Sequence, residues 1–245
     1  MIDTGHLTPM RTKRKLSILT VVLIAVLSSI SVGVYNAFPY KSDLKLPNSA
    51  VAFEQSQLID TLHEDFNILQ KHFQPQIFRS FCGVASSSIV ISALGKPVTQ
   101  HNFFDNLSGA HTRPFISVFF SGMPLAELNN FLLAYGLETR LIYASESNIG
   151  RFRKAVKKNM QNSTNFIIVN YSRKTLNQYG SGHISPIGAY DPKLDRVLIL
   201  DTAEYKYPFH WLKLTDLFSA MNTFDGKKSR GYVTATVKLQ IQKPD

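Results

Sequence analysis

The chain has 245 residues, 44% hydrophobic, 11% aromatic and 18% charged, which allows one sizeable domain with an extension and excludes a low-complexity or disordered protein. A net charge of +10 favours an anionic partner, yet the basic residues are scattered, cluster only briefly at 151–158 and 227–230, and lack an aromatic RNA-reading signature. Nucleic acid is therefore set aside in favour of an anionic small molecule, and the single cysteine, Cys82, excludes an internal disulfide or a multi-thiol metal site.

In chain order, a basic patch (Arg11, Lys13, Arg14, Lys15) precedes the apolar run 16–27, and the apolar character continues, diluted by serines, to about Tyr35. This is the pattern of a secretory signal, and the run is also long enough to cross a hydrocarbon layer of about 30 Å. Residues 1–35 are thus expected to be a signal peptide, with Ser31–Gly33 supplying small residues for cleavage, or an uncleaved membrane anchor. Either reading leaves the basic end in the cytoplasm and sends the domain across the membrane. Residues 36–50, with two prolines, read as a linker, and 51–240 as the catalytic domain.

Within the domain, 52–73 has helical spacing, and 82–94 is a helix with Ala85, Ile89, Val90, Ala93 and Leu94 on one face, stopped by Gly95 and Pro97. Pro124 opens a third helix ending at Gly136; 138–143 alternates like a strand; Ser145 is placed to cap a helix to about Met160. Strands follow at 166–169, 183–190 and 196–201, the last two around a turn at 191–195. A short helix near 214–221 and a strand at 231–237 complete the order. Helices first and antiparallel strands after argue for an α+β fold.

A lone cysteine is ordinarily a buried structural residue; its neighbours reverse that here. Cys82 stands where a loop enters a helix, whose N-terminal partial charge favours thiolate, the nucleophilic form. Gly83 would let a substrate approach the backbone, and Gln76, six positions earlier, would share an oxyanion hole with the Cys82 N–H. A turn centred on Pro192 would set His183 opposite Asp201, at the Cβ separation of about 5 Å that lets a carboxylate hold an imidazole. The order Gln, Cys, His, Asp suits papain-type chemistry.

Phe81-Cys-Gly-Val-Ala-Ser86, Gly182-His-Ile-Ser-Pro-Ile-Gly-Ala-Tyr190, Leu198-Ile-Leu-Asp201 and Tyr205-Lys-Tyr-Pro-Phe-His-Trp211 resemble the motifs of phytochelatin synthases, as do residues 220–225 with Arg230-Gly231. The resemblance covers about 76–232 and is nearest to the short prokaryotic members. It implies a papain-like fold and a Cys82, His183, Asp201 triad that releases glycine from glutathione through a γ-glutamylcysteinyl thioester. Water would then give γ-glutamylcysteine, or a second glutathione a phytochelatin. It further implies that Arg173 and Arg230 hold the acyl carboxylate, as suits their forked donors, and that Asp225 holds its α-amino group. No tightly bound cofactor is implied; heavy-metal ions such as Cd2+ would arrive as glutathione thiolates.

Glu204 stands where the family usually has arginine, and the cysteine-rich tail of eukaryotic members is absent, both of which favour hydrolysis. The alternatives are a papain-like peptidase of another specificity and a membrane-anchored thiol- or metal-binding protein. Oligomeric state is not legible, and a homodimer stays open.

Overall fold

In the computed structural model, residues 10–39, 42, 44–58, 61, 63–105, 107, 113–161 and 164–238 are described. The expected domain end at 240 lies outside them. A long helix α1 (Met10–Ala37) leads to strand β1 (Ala50–Ala52) and helices α2 (Glu64–Leu69), α3 (Cys82–Ala93), α4 (Phe115–Ser121) and α5 (Leu125–Ala134). Then come β2 (Leu137–Tyr143), α6 (Ile149–Asn159), β3 (Asn165–Ser172), β4 (Gly182–Asp191), β5 (Arg196–Ile199), β6 (His210–Lys213), α7 (Leu214–Met221), a small hairpin β7 (Phe224–Asp225) and β8 (Lys228–Ser229), and β9 (Gly231–Val237).

The α+β expectation holds: seven strands form one antiparallel sheet in the order β1-β6-β5-β4-β3-β9-β2. Alternation along β3 explains the layers. Phe166 and Ile168 join α3 and α5 in one core, and Ile167, Val169 and Tyr171 join α6 and α7 in a second. Helices therefore cover both faces. This placement makes α3 a central element, buried at every position from Gly83 to Ser92 rather than along one face, and its alanines and serines are small enough to permit that.

Other expectations need adjustment. Residues 52–73 are not one helix but a 3₁₀ turn at Gln55–Leu58, the short α2 and a further 3₁₀ turn. The cap of α6 is Asn148, which accepts the Arg151 N–H at 2.9 Å, and not Ser145. The segment read as a linker is fastened to the domain: Ser42 donates its N–H and Oγ–H to the Tyr205 carbonyl, and β1 begins at Ala50.

The assumed register between β4 and β5 is also corrected. The turn is centred after Lys193, with Asp191 paired to Arg196 and its Oδ1 accepting the N–H groups of Lys193 and Leu194. A bulge at Gly188 then shifts the ladder between Ala189↔Leu198 and Ile187↔Ile199. The ladder ends at Ile199, so His183 is not opposite Asp201; its partner is Tyr171 on β3.

Gly231 lies between β2 and β3 in the sheet, paired to Tyr143 and Asn170, and a Cβ there would overlap the Ile142 carbonyl oxygen. Backbone held by ladders on both sides has little room to yield. Gly231→Ala is expected to cost about 3 kcal/mol, the upper part of the range for overpacking. Denaturant unfolding of the purified protein checks this, and an unchanged midpoint contradicts it.

Candidate active site

Three elements converge on Cys82. α3 carries it as its first residue, half-buried. β4 brings His183, and the chain leaving β5 brings Asp201. His183 Nε2 lies 2.8 Å from Asp201 Oδ1. Because that carboxylate is ionised, Nε2 carries the proton and donates it, which leaves the Nδ1 lone pair available. The register differs from the one assumed, yet the contact is made, because Asp201 lies past the ladder's end and its chain bends back. The Ser185 hydroxyl, 3.0 Å from Nε2, and the Tyr171 ring, edge-on at 5.7 Å, hold the imidazole in place.

Asp201 is wholly buried, and a buried carboxylate needs a counter-charge. Arg173 supplies it: Nη2 donates to both Asp201 oxygens at 2.8 Å, and Nη1 to Gln178 Oε1 at 2.9 Å. Gln178 Nε2 in turn donates to His210 Nε2 at 2.9 Å, which puts the His210 proton on Nδ1, 2.9 Å from the Pro208 carbonyl. The Ala203 N–H also donates to Asp201, at 2.9 Å. Arg173 is 1% exposed and held on Asp201, and it lines the cleft beside Cys82 rather than the cavity that holds Arg230.

Arg230 and Asp225 do meet, at 3.4 Å, with the Asn170 amide donating to Asp225 at 3.2 Å and Arg230 also donating to Thr223 Oγ1 at 3.1 Å. They line a cavity of about 230 Å³ that reaches Cys82 and His183. An adjoining cleft of about 520 Å³ also reaches Cys82 and His183, bordered by Arg79, Arg173, Lys174, Tyr205 and Lys206. Burial, and then repulsion from Arg173, pull Lys206 down to about 8, which leaves it mostly protonated at neutral pH. Cys82 thus borders both a cavity holding an acid–base pair and a cleft edged with cations.

Gln76 reaches this cleft, but its Nε2 donates to the Phe78 and Arg79 carbonyls at 3.0 and 2.8 Å. It can serve an oxyanion only by giving one of these up. Gly83 has a packing role: Met123 Sδ would lie 2.6 Å from a Cβ there. Sequence reasoning missed Asn170, Gln178 and His210. The signal for Asn170 was an amide inside an apolar strand run; His210 lay within a quoted motif whose spacing gave it no role.

Burial raises the Cys82 thiol, against the N–H groups of Ile184 and Gly83 and the charge of Arg173, which favour the thiolate. Burial, reinforced by Arg173, lowers His183 to about 4 against the opposing pull of Asp201. The resting pair is therefore thiol and neutral imidazole. Asp201 lies well below the usual carboxylate range: burial alone would raise it, and Arg173 and His183 outweigh that.

A model of phytochelatin synthase matches residues 41–232, most of the chain. The chain belongs to the phytochelatin synthase family. It is 36% identical over 177 residues to glutathione γ-glutamylcysteinyltransferase 1 of Lotus japonicus, a match covering 69% of this chain and 35% of that relative. It is 34% identical over 172 residues to transferase 2 of Arabidopsis thaliana (68% and 38%), and 26% identical over 204 residues to the Schizosaccharomyces pombe transferase (77% and 49%). The match thus spans roughly a third to a half of those family members' length. Among solved structures, the peptidase domain of Streptococcus ComA is similar at a TM-score of 0.42 and 15% identity, covering 67% of this chain and 97% of that one.

Because folded His183 stays neutral down to about 4 while an unfolded histidine takes up its proton near 6.5, the unfolded state binds more protons in that window. His183 therefore costs stability as pH falls through it. Asp65 acts oppositely: buried with both oxygens unpartnered, it is pushed up to about 8, by burial first and then Glu64, and costs stability as pH rises. A difference measurement separates them. The unfolding free energy of wild type minus that of His183→Gln is expected to decline steadily from pH 6.5 to pH 4. A difference constant with pH contradicts the assignment.

Proposed function

We propose that the protein cleaves glutathione, with Cys82 as nucleophile, His183 as general base and acid, and Asp201 as the group that orients His183. The observation that carries this reading is that Cys82 and His183 border both a cavity holding an Asp225–Arg230 pair and a cleft edged with cations. A γ-glutamyl group ends in an ammonium and a carboxylate, which suit Asp225 and Arg230; the glycine carboxylate of the same substrate suits the cleft edged by Arg79, Lys174 and Lys206. Arg173, held on Asp201, keeps that carboxylate ionised.

The steps follow from the groups present. The Cys82 proton passes to His183 Nδ1 as sulfur attacks the carbonyl carbon of the cysteinyl–glycine amide. The developing oxyanion takes hydrogen bonds from the Cys82 N–H and, once released from a backbone carbonyl, from the Gln76 amide. The C–N bond breaks as His183 returns the proton to the nitrogen, glycine leaves, and a thioester remains. Water, or the α-amino group of a second glutathione, then attacks with His183 again as base, and the C–S bond breaks to regenerate the thiol. Heavy-metal ions such as Cd2+ enter as substrate, as glutathione thiolates. The N-terminal helix and its basic leading residues support export of the domain across the cytoplasmic membrane.

Glu204 is exposed on the rim of a neighbouring groove shared with Tyr205 and Lys206. Exposure limits its repulsion of an incoming anion to about 1 kcal/mol or less. Hydrolysis is expected to exceed phytochelatin formation, and Glu204→Arg to raise the phytochelatin fraction by no more than a few-fold while glycine release changes less. Cys82→Ala is expected to lose on the order of a million-fold in glycine release. Chromatography of products from glutathione, with and without cadmium, reads both. A folded Cys82→Ala protein that keeps a tenth of the activity removes Cys82 as nucleophile, and a wild type making mainly phytochelatin overturns the preference.

A further inference from the structure

Within the segment Ile18–Ala37 of α1, an 18-residue window has a mean hydropathy of 2.4 and no buried residue, which marks the segment as a span by length and composition. At about 1.5 Å per residue it covers roughly the 30 Å of a hydrocarbon layer. A targeting helix destined for removal has no need to fit the domain behind it. This one does fit. Asn36 is buried; its Nδ2 donates to the Phe119 carbonyl at 2.8 Å, and its own carbonyl accepts the Arg79 N–H at 3.0 Å. The Arg79 guanidinium stands 4.3 Å from the Tyr35 ring centroid, and a Cβ on Gly33 would lie 3.7 Å from the Phe120 ring. Tyr35 and Asn36 both line the 520 Å³ cleft beside Cys82.

The neighbouring α4 presents Phe115, Ile116 and Phe120 to the outside at 41%, 58% and 40% exposure. Ile116 and Phe120, four apart, share one face of that helix and continue the apolar surface of α1. We propose that α1 is retained as a membrane anchor and that α4 sits in the interface of the same bilayer, so that the cleft opens at the headgroup layer. The occupant of the apolar face is lipid. Depth supports this: Gly33 lies four residues inside the end of the span, about 6 Å along the axis. Phe120, packed against Gly33, then falls within the roughly 5–10 Å at which interfacial helices bury their apolar face. Tyr35, 53% exposed at the end of the span, occupies the usual level of an interfacial aromatic belt. Cleavage after Gly33 would leave Tyr35 and Asn36, two walls of the cleft, on a loose end. The proposal does not depend on the identity of the substrate.

The test uses the full chain in phosphatidylcholine vesicles with and without brominated acyl chains. The native Trp211 is 1% exposed and serves as a constant background. Ile116→Trp is compared with Leu194→Trp, whose position is 60% exposed on the β4–β5 turn, about nine residues or 30 Å along the strand from the cleft. Added emission from Ile116→Trp is expected to be blue-shifted and quenched by brominated lipid at least several-fold more than that from Leu194→Trp. Equal quenching at the two positions overturns the seating of α4, and Phe120→Trp repeats the test if Ile116→Trp fails to fold. Intact-mass analysis of the protein from cell membranes is expected to show residues 18–37 still attached; a mature chain that begins after Gly33 overturns retention.

Discussion

The buried pair of Arg173 and Asp201 is the constraint around which the rest of the site is arranged. At 1% and 0% side-chain exposure, each would be intolerable alone, and removing one partner of such a pair typically costs about 3–5 kcal/mol. The surroundings complete what the two charges begin. Gln178 and His210 fix the second guanidinium nitrogen, the Ala203 N–H adds to the carboxylate, and the Tyr207 ring lies 5.2 Å from the guanidinium carbon. Four stretches of chain must therefore be in place together: the end of β3, the start of β4, the exit of β5 and the segment leading into β6. A sheet whose successive strands are antiparallel neighbours makes that meeting geometrically cheap.

What the pair delivers is one tautomer of one histidine. With Asp201 ionised and accepting from Nε2, His183 can only offer Nδ1, and burial, reinforced by Arg173, disfavours its protonation before substrate arrives. The thiol is likewise kept neutral at rest by burial, although the start of α3 and the N–H groups of Gly83 and Ile184 stand ready for the thiolate. In the proposed reaction the first step is then a proton transfer inside the complex rather than attack from a preformed ion pair. A resting thiol is also less open to oxidation than a thiolate.

Local signals carried much of this into the sequence. The loop-to-helix position of Cys82, the strand pair around a Pro-Lys-Leu-Asp turn and the closing strand at 231–237 all rest on short-range chemistry, and the structure has them. Long-range partners were illegible. The resemblance implies a substrate role for Arg173, but an arginine in sequence does not show its burial, and only the fold reveals its pairing with Asp201. The register between β4 and β5 differs because Asp191 Oδ1 gathers the Lys193 and Leu194 N–H groups and centres the turn after Lys193 rather than on Pro192, and the bulge at Gly188, where a Cβ would come within 2.9 Å of Leu200, then shifts the ladder by one further step. Helix α4 escaped notice because its apolar residues do not form a one-sided stripe facing a core. Its exposed face makes sense only beside α1, so the segment that looked most like disposable targeting sequence proves to be a wall of the cleft.

The central claim is that Cys82 takes the γ-glutamylcysteinyl group of glutathione as a thioester. The most direct measurement is mass spectrometry of the wild-type protein, acid-quenched within the first turnovers with glutathione and digested. The account expects the peptide carrying Cys82 to gain one γ-glutamylcysteinyl group, an adduct that resists reductant and is released by hydroxylamine. A peptide that stays unmodified, or that gains a whole glutathione removable by reductant, would contradict it.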